Sequence, residues 1–137
     1  MNLDDVGRFH ELDTQDMLSE INGLPAQLQA AWELGDRLPL PRMEHIHLVV
    51  VTGMGGSAIS ADLLAAYAAP VLKTPLIVWR NYDLPAYATG PETLVIALSH
   101  SGDTEETILA FECGYRSGAR VLALTTGVLS QFLFEAL

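Results

Sequence analysis

The chain has 137 residues, half of them hydrophobic, which is enough for one globular domain with a single core but not for two independent cores. Its formal net charge is −10, and its seven lysines and arginines are scattered, so nucleic acid and anionic membranes are not expected as partners. Any bound phosphate must therefore be held mainly by backbone amides and hydroxyl groups.

The expected compartment follows from the lack of a disulfide pair, a signal peptide and a membrane-spanning segment in the sequence. The single cysteine, Cys113, cannot form an internal disulfide, and the acidic N-terminus lacks the basic and apolar parts of a signal peptide. No apolar run reaches the ~18 residues that would suggest a membrane span. We therefore expect a cytoplasmic protein.

The N-terminal residues predict a pair of helices. The first runs from Asp13, a residue type that caps helix N-termini, to Gly23, a typical stop. The second opens on Pro25 and closes after Leu34. We assign these helices to an N-terminal lead, residues 1–45, that packs on the remainder of the chain.

From residue 46 onwards, short apolar strands alternate with helical segments. The strand segments are HLVVVT, PLIVW, TLVIAL and RVLALT, and the helical segments are SAISADLLAAYAA and TEETILAFECGYRSG. Nearly all-apolar strands are typical of parallel strands that helices cover on both faces. Residues 46–137 therefore predict an α/β fold: a doubly wound, three-layer, mainly parallel sheet of flavodoxin-like type, with the common strand order 2-1-3-4.

The end of the chain has an unusual pattern for this fold class. GVLSQFLFEAL predicts an apolar helix with no strand after it. Four strands make a small sheet whose last edge would be bare. We expect a truncated chain, with a deliberately short domain as the alternative.

The stretch LVVVTGMGGSAISADLL joins a strand, a glycine cluster and a helix. The first amides of a helix have no partners inside it, so this order is typical of a phosphate site. Gly53, Gly55 and Ala58 also satisfy the dinucleotide pattern G-x-G-x-x-G/A. An NAD enzyme would place an acid at the end of the next strand, where this chain has Arg80, which would suit the 2′-phosphate of NADP. A nicotinamide cofactor therefore stays open as an alternative to a sugar phosphate.

A second loop, ALSHSGDTEETI, lies after the third strand and before a helix. It brings the hydroxyl groups of Ser99, Ser101 and Thr104 into one turn, and Gly102 permits close approach of the backbone to a ligand. A purely structural interpretation is that these side chains only cap the helix. Three hydroxyl groups around a glycine, matched to the first glycine loop, favour a binding site.

In the order 2-1-3-4 the first and third strands are neighbours, so both loops border one crevice at their carboxyl ends. Hydroxyl groups from both loops could then surround one phosphate, with two helix N-termini contributing partial positive charge. The predicted ligand is a small sugar phosphate. The predicted binding residues are Ser57, Ser99, Ser101 and Thr104.

The segments GMGGS and SHSGDTEET resemble the SIS (sugar isomerase) domain family, in which S-x-S-G-x-T is the phosphate loop. The N-terminal lead and VWRNYDLP are most similar to the bifunctional phosphoglucose/phosphomannose isomerases. The resemblance implies that Ser57, Ser99, Ser101 and Thr104 hold the phosphate, with Gly55 and Gly56 giving backbone approach. It also implies an aldose-ketose isomerase that interconverts glucose 6-phosphate or mannose 6-phosphate with fructose 6-phosphate through an enediol.

The resemblance implies that the catalytic groups, a glutamate base and a ring-opening histidine, belong to a second SIS domain and to segments beyond residue 137. We therefore predict no catalytic residue in this chain, weak sugar-phosphate binding and no turnover. A homodimer without cofactor or metal is expected. His45 and His47 alternate before the first strand, but two histidines without a third ligand predict a structural role.

Two further functions stay open. One is a non-catalytic SIS module that senses a sugar phosphate in a regulator, although the acidic N-terminal lead does not suit a DNA-binding segment. The other is a single-domain isomerase of the phosphoheptose type, which would show histidine and glutamate signatures that this chain lacks.

Overall fold

The computed structural model describes residues 5–127, and most of GVLSQFLFEAL lies outside the described residues. The chain divides into two compact units, Met1–Arg42 and Met43–Leu137. In chain order the elements are a 3-10 turn (Val6–Arg8), α1 (Phe9–Leu12), α2 (Met17–Arg37), β1 (Leu48–Gly53), α3 (Gly55–Ala68), β2 (Leu76–Trp79), β3 (Thr93–Ser99), α4 (Glu105–Arg116) and β4 (Arg120–Thr125).

The N-terminal unit contains one continuous helix where the sequence predicted two. α2 passes through Gly23, Pro25 and Gly35 without a break. Neither glycine has the positive φ of a residue that ends a helix in the left-handed conformation. Pro25 has no amide hydrogen to donate to the carbonyl of Ile21, so the helix continues with one hydrogen bond fewer. The predicted helical pair is thereby corrected to a single long helix.

The predicted helix start at Asp13 is wrong, because α2 begins at Met17 with Asp16 as the N-cap residue, but the Asp13 side chain still binds the first amides of this helix. The Asp13 carboxylate accepts hydrogen bonds from the backbone amides of Met17 at 2.8 Å and Leu18 at 2.7 Å. These two donors are among the four that a helix N-terminus leaves without a partner in the helix. No residue of α2 is buried, and Trp32 is 75% exposed.

The second unit is built on a four-stranded parallel sheet in the order β2-β1-β3-β4, which confirms the predicted topology. Along β3, buried residues alternate with half-buried ones, because successive side chains of a strand point to opposite faces. Val50, Val95 and Ala97 are fully buried on one face. There they pack with Ala110 and Phe111 of α4.

The segment between β2 and β3 completes this core without forming a helix. Leu84 and Ala88 are buried in the cluster that contains Val95. Gly114 lets α4 approach closely, since a Cβ there would lie 3.0 Å from the Val95 side chain. This packing fixes the axis of α4, and with it the position of the helix N-terminus.

α3 joins β1 to β2 and α4 joins β3 to β4, in opposite directions across the sheet. Since such crossovers are right-handed, the two helices lie on opposite faces, which is the predicted three-layer arrangement. A Cβ at Gly53 would contact Ser57 at the start of α3. The residues of α3 that face the sheet are small, which brings the helix close: Ala58, Ala61 and Ala68. Its outward apolar residues are exposed: Ile59, Leu63 and Tyr67. Within the described part of the chain, no helix is long and apolar enough to cross a membrane.

Candidate functional site

The two loops that the sequence singled out open at the same edge of the sheet. Gly53 ends β1 and pairs in register with Leu98, next to the end of β3. A Cβ at Gly53 would lie 2.8 Å from the carbonyl oxygen of Leu98 and 3.3 Å from the Cβ of Ser57. Ser57 therefore lies beside the point where the second loop leaves β3.

The first loop presents the N-terminus of α3. The first hydrogen bond of the helix runs from the amide of Ala58 to the carbonyl oxygen of Met54, at 3.3 Å. The amides of Gly55, Gly56 and Ser57 precede it and have no acceptor inside the helix. Gly55 has a φ of 51°, a conformation that glycine adopts without strain. Exposed amides in this arrangement are suited to bind an anion.

In the second loop, Ser99 braces the backbone from inside. Its side chain is nearly inaccessible, with the residue 3% exposed. Its Oγ accepts a hydrogen bond from the amide of Gly102 at 3.0 Å and lies 3.0 Å from Oγ1 of Thr104. Gly102 has a φ of 76°, so the tight turn requires a residue that tolerates the left-handed region.

The Ser99–Thr104 pair still has a donor for a ligand. Only one of the two hydroxyl groups can donate to the other. Whichever one donates, the hydrogen of the remaining hydroxyl stays available. An anion at the loop would therefore fix the direction of this hydrogen bond.

Ser101 is the most accessible hydroxyl group of the second loop. The residue is exposed, and its Oγ accepts only a long hydrogen bond, 3.5 Å from the amide of Asp103. Among residues 5–127, no acceptor pairs with the amide of Ser101. Ser101 thus offers two donors, one from the side chain and one from the backbone.

The acidic residues in the first turn of α4 interact with the segment after β2. The pKa of Tyr82 is raised, mainly by the negative charge of Glu106. Desolvation, the charge of Glu105 and a hydrogen bond with the Glu106 side chain raise it further. Thr104, the N-cap residue, makes no capping hydrogen bond with its side chain. The charge of Glu106 acts on Tyr82, an interaction that the sequence did not indicate.

Arg80 follows β2, and in the nicotinamide alternative its side chain would suit the 2′-phosphate of NADP. Its guanidinium group forms an ion pair with Asp62 of α3 and lies 3.5 Å from the carbonyl oxygen of Ala58. The positive charge is thus balanced by a neighbouring carboxylate. This arrangement does not favour recognition of a 2′-phosphate.

A third segment at this edge was missed by the sequence analysis. Thr126 donates hydrogen bonds to the carbonyl oxygen of His100 from its side chain at 2.6 Å and from its amide at 3.3 Å. Gly127 follows and lies against Ser101. The signal in the sequence was a hydroxyl-rich turn with a glycine at a strand end, LTTG, of the same kind as the first two loops.

The histidines take different positions. The side chain of His47 lies 3.4 Å from the carboxylate of Glu92, next to the start of β1 and so away from the two loops. His100 is exposed. Over residues 5–127, no three His, Cys, Asp or Glu side chains are grouped as a metal site requires.

Comparison with known proteins finds relatives in sequence and solved structures with a similar fold. No protein-family model matches the chain. It is 45% identical over 112 residues to the bifunctional phosphoglucose/phosphomannose isomerase of Caldicellulosiruptor bescii, and the match covers 81% of this chain and 33% of the relative. The chain thus spans about a third of the length of this curated relative.

Two solved structures show the same fold. Tagatose-6-phosphate ketose/aldose isomerase from Escherichia coli matches 86% of this chain and 33% of its own, with a TM-score of 0.52 and 20% identity. The Vibrio vulnificus NanR protein, solved in complex with ManNAc-6P, matches 85% of this chain and 45% of its own, with a TM-score of 0.56 and 22% identity. Together with the sequence relative, these shared folds agree with the resemblance to the SIS domain that the two loops indicate.

Proposed function

We propose that this SIS-type domain binds the phosphate group of a sugar phosphate and forms part of an aldose-ketose isomerase. The proposed reaction interconverts glucose 6-phosphate or mannose 6-phosphate with fructose 6-phosphate. The observation that carries the proposal is that two loops rich in amide and hydroxyl donors open at one edge of the sheet. The 45% identity to a phosphoglucose/phosphomannose isomerase supports the choice of reaction.

The phosphate would be held by donors and helix termini rather than by cations. The proposed ligands are Gly55, Gly56 and Ser57 from the first loop and Ser99, Ser101 and Thr104 from the second. The N-termini of α3 and α4 each add a partial positive charge of roughly half a unit. Because neither loop contains a lysine or arginine, this binding would depend on the orientation of the donors.

The catalytic glutamate and histidine of the proposed isomerase would lie outside this chain. The chain alone would then bind sugar phosphate weakly without turning it over. We further propose the division into a helical lead, residues 1–45, and a sugar-phosphate domain, residues 46–137. A homodimer in the cytoplasm is the proposed assembly and location.

The test of binding is an NMR or calorimetric titration of the chain with glucose 6-phosphate, with glucose as the control ligand. We expect glucose 6-phosphate to bind and glucose not to bind. Ser101→Ala should weaken binding about tenfold or more, because a hydrogen bond to a charged group contributes about 1.5–3 kcal/mol. Equal binding of the two sugars would contradict the proposal.

Ser117→Ala is the matched control. Its hydroxyl donates to the carbonyl oxygen of Gly114 at 2.8 Å, at the C-terminal end of α4 and away from the loops. We expect this variant to bind glucose 6-phosphate like the unmodified chain. Detectable conversion of glucose 6-phosphate to fructose 6-phosphate by the purified chain would overturn the assignment of catalysis to other segments.

A sensor module is the second candidate, because the NanR protein, solved in complex with ManNAc-6P, has a similar fold. That likeness lies at 22% identity and so concerns the fold alone. The two functions separate in the full-length protein, since an isomerase turns over its ligand and a sensor only binds it. The phosphoheptose type would require catalytic groups within this chain and is tested by the same activity assay.

A further inference from the structure

The turn that follows β4 runs directly beside the second loop. Ser99, the last residue of β3, pairs in register with Thr125, the last residue of β4. The chain leaves both strands at the same level, so the two turns lie next to each other. Oγ1 of Thr125 accepts a hydrogen bond from the amide of Gly127 at 3.0 Å, which closes this turn on itself.

Thr126 links the turn after β4 to the second loop, and both of its hydrogen bonds go to the same acceptor atom. The carbonyl oxygen of His100 accepts both the hydroxyl group of Thr126, at 2.6 Å, and its amide, at 3.3 Å. Ser99 holds the loop from inside through the amide of Gly102. The loop is therefore held from two sides, by Ser99 of its own strand end and by Thr126 of the next.

At Gly127 the turn after β4 approaches the backbone of the second loop too closely for any side chain to fit. A Cβ at this position would overlap the carbonyl oxygen of Ser101 and lie 3.2 Å from the amide nitrogen of Gly102. The neighbouring atoms belong to backbone, which cannot rotate away as a side chain would. Only glycine fits without displacing the loop.

This contact also sets the direction of a donor. The carbonyl of His100 and the amide of Ser101 belong to one trans peptide group and point in opposite directions. β4 and β1 lie on opposite sides of β3. Turning the carbonyl of His100 towards the turn after β4 therefore directs the amide of Ser101 towards the side of β1, where the first loop lies.

We propose that Thr126 and Gly127 are positioning residues of the phosphate loop, which hold the His100–Gly102 backbone so that the amide and hydroxyl group of Ser101 face the ligand. The proposal rests on the proposed function for the identity of that ligand. Neither residue needs to touch the phosphate. Their effect is to order the loop before binding, so that binding does not have to supply that order.

The test compares Thr126→Val, which removes the hydroxyl group at similar volume, with Thr126→Ser, which keeps it. Thr74→Val is the matched control, because Thr74 also donates to a carbonyl oxygen, that of Ile46 at 3.3 Å, away from the loops. Two quantities are measured on the 137-residue chain. One is the solvent-exchange rate of the Gly102 amide by NMR without ligand, and the other is the affinity for glucose 6-phosphate and for inorganic phosphate.

We expect Thr126→Val to speed exchange of the Gly102 amide and to weaken binding of both ligands about fivefold, as the loss of one hydrogen bond implies. Thr126→Ser should restore both quantities, and Thr74→Val should change neither. Gly127→Ala should weaken binding further, because it displaces the loop. Unchanged exchange in Thr126→Val, or unchanged binding in Gly127→Ala, would overturn the proposal. If Gly102 responds as expected but the unmodified chain binds neither ligand, the proposed function fails while the loop-holding contact stands.

Discussion

Gly53 and Leu98 face each other at the ends of β1 and β3, so closely that a Cβ on Gly53 would lie 2.8 Å from the carbonyl oxygen of Leu98. The same Cβ would lie 3.3 Å from the Cβ of Ser57. The absence of a side chain at this position is what allows the first residues of α3 to lie against the end of β3. The two candidate loops are adjacent for this reason.

Gly53→Ala should therefore reduce both stability and binding. We expect the free energy of unfolding to fall by about 1–3 kcal/mol, the usual cost of forcing extra atoms into a packed site. Urea denaturation measures the first effect, and titration with glucose 6-phosphate the second. Gly35→Ala is the control, because a Cβ there contacts nothing within 4 Å and the residue lies in a helix. That variant should be stabilised by up to about 1 kcal/mol, so a loss of stability in both variants would contradict the argument.

Replacing Ser99 and Ser101 separately should distinguish a bracing hydroxyl group from a binding one. Ser99→Ala removes the buried acceptor of the Gly102 amide, so we expect a loss of about 1–3 kcal/mol in the free energy of unfolding as well as weaker binding. Ser101→Ala removes an exposed hydroxyl group and should weaken binding with stability unchanged. Thermal denaturation and ligand titration of both variants measure this difference. Equal effects of the two substitutions on stability would show that Ser99 does not brace the loop.

The hydroxyl group of Tyr82 should titrate above the usual pH of a tyrosine, because the carboxylate of Glu106 disfavours its ionised form. The sign for stability follows from the raised pKa. The contribution of Tyr82 to the free energy of unfolding is fully present below the pKa that this side chain has in the unfolded chain. It is lost as the pH rises through the higher pKa of Tyr82 in the folded state. Glu106→Gln should lower the pKa of Tyr82, as measured by NMR titration of the tyrosine rings, with Tyr82→Phe identifying the signal. An unchanged titration in Glu106→Gln would mean that Glu106 does not act on Tyr82.

Asp13→Ala should weaken the start of α2, because its carboxylate accepts the amides of Met17 and Leu18. We expect a loss of about 1 kcal/mol in helix stability, seen as a lower circular dichroism signal at 222 nm or a lower transition temperature. Asp36→Ala changes the charge equally but lies near the C-terminus of α2. Since a negative charge there opposes the helix dipole, this control should be neutral or slightly stabilised. A comparable loss in both variants would point to charge rather than capping.

The sequence alone determined the strands, their order and the edge at which the two loops open. These features follow from local patterns, namely apolar strand runs and glycine-rich turns at their ends, combined with the strong preference for common α/β topologies. The six residues singled out for phosphate binding lie at that edge, and their role as ligands stays a prediction. The separate helices expected around Gly23 and Pro25 were not found, because glycine and proline alter local preference without deciding whether a helix continues.

Tertiary structure decided the contacts between residues far apart in the chain. Thr126 bonds to the carbonyl of His100, 26 positions away, and Glu106 acts on Tyr82 from another element. No periodicity encodes such pairs, because they depend on which strand ends lie side by side and on the direction of individual peptide groups. Residue types thus determined which groups could bind a phosphate, whereas packing determined which of them hold the loop and which face the solvent.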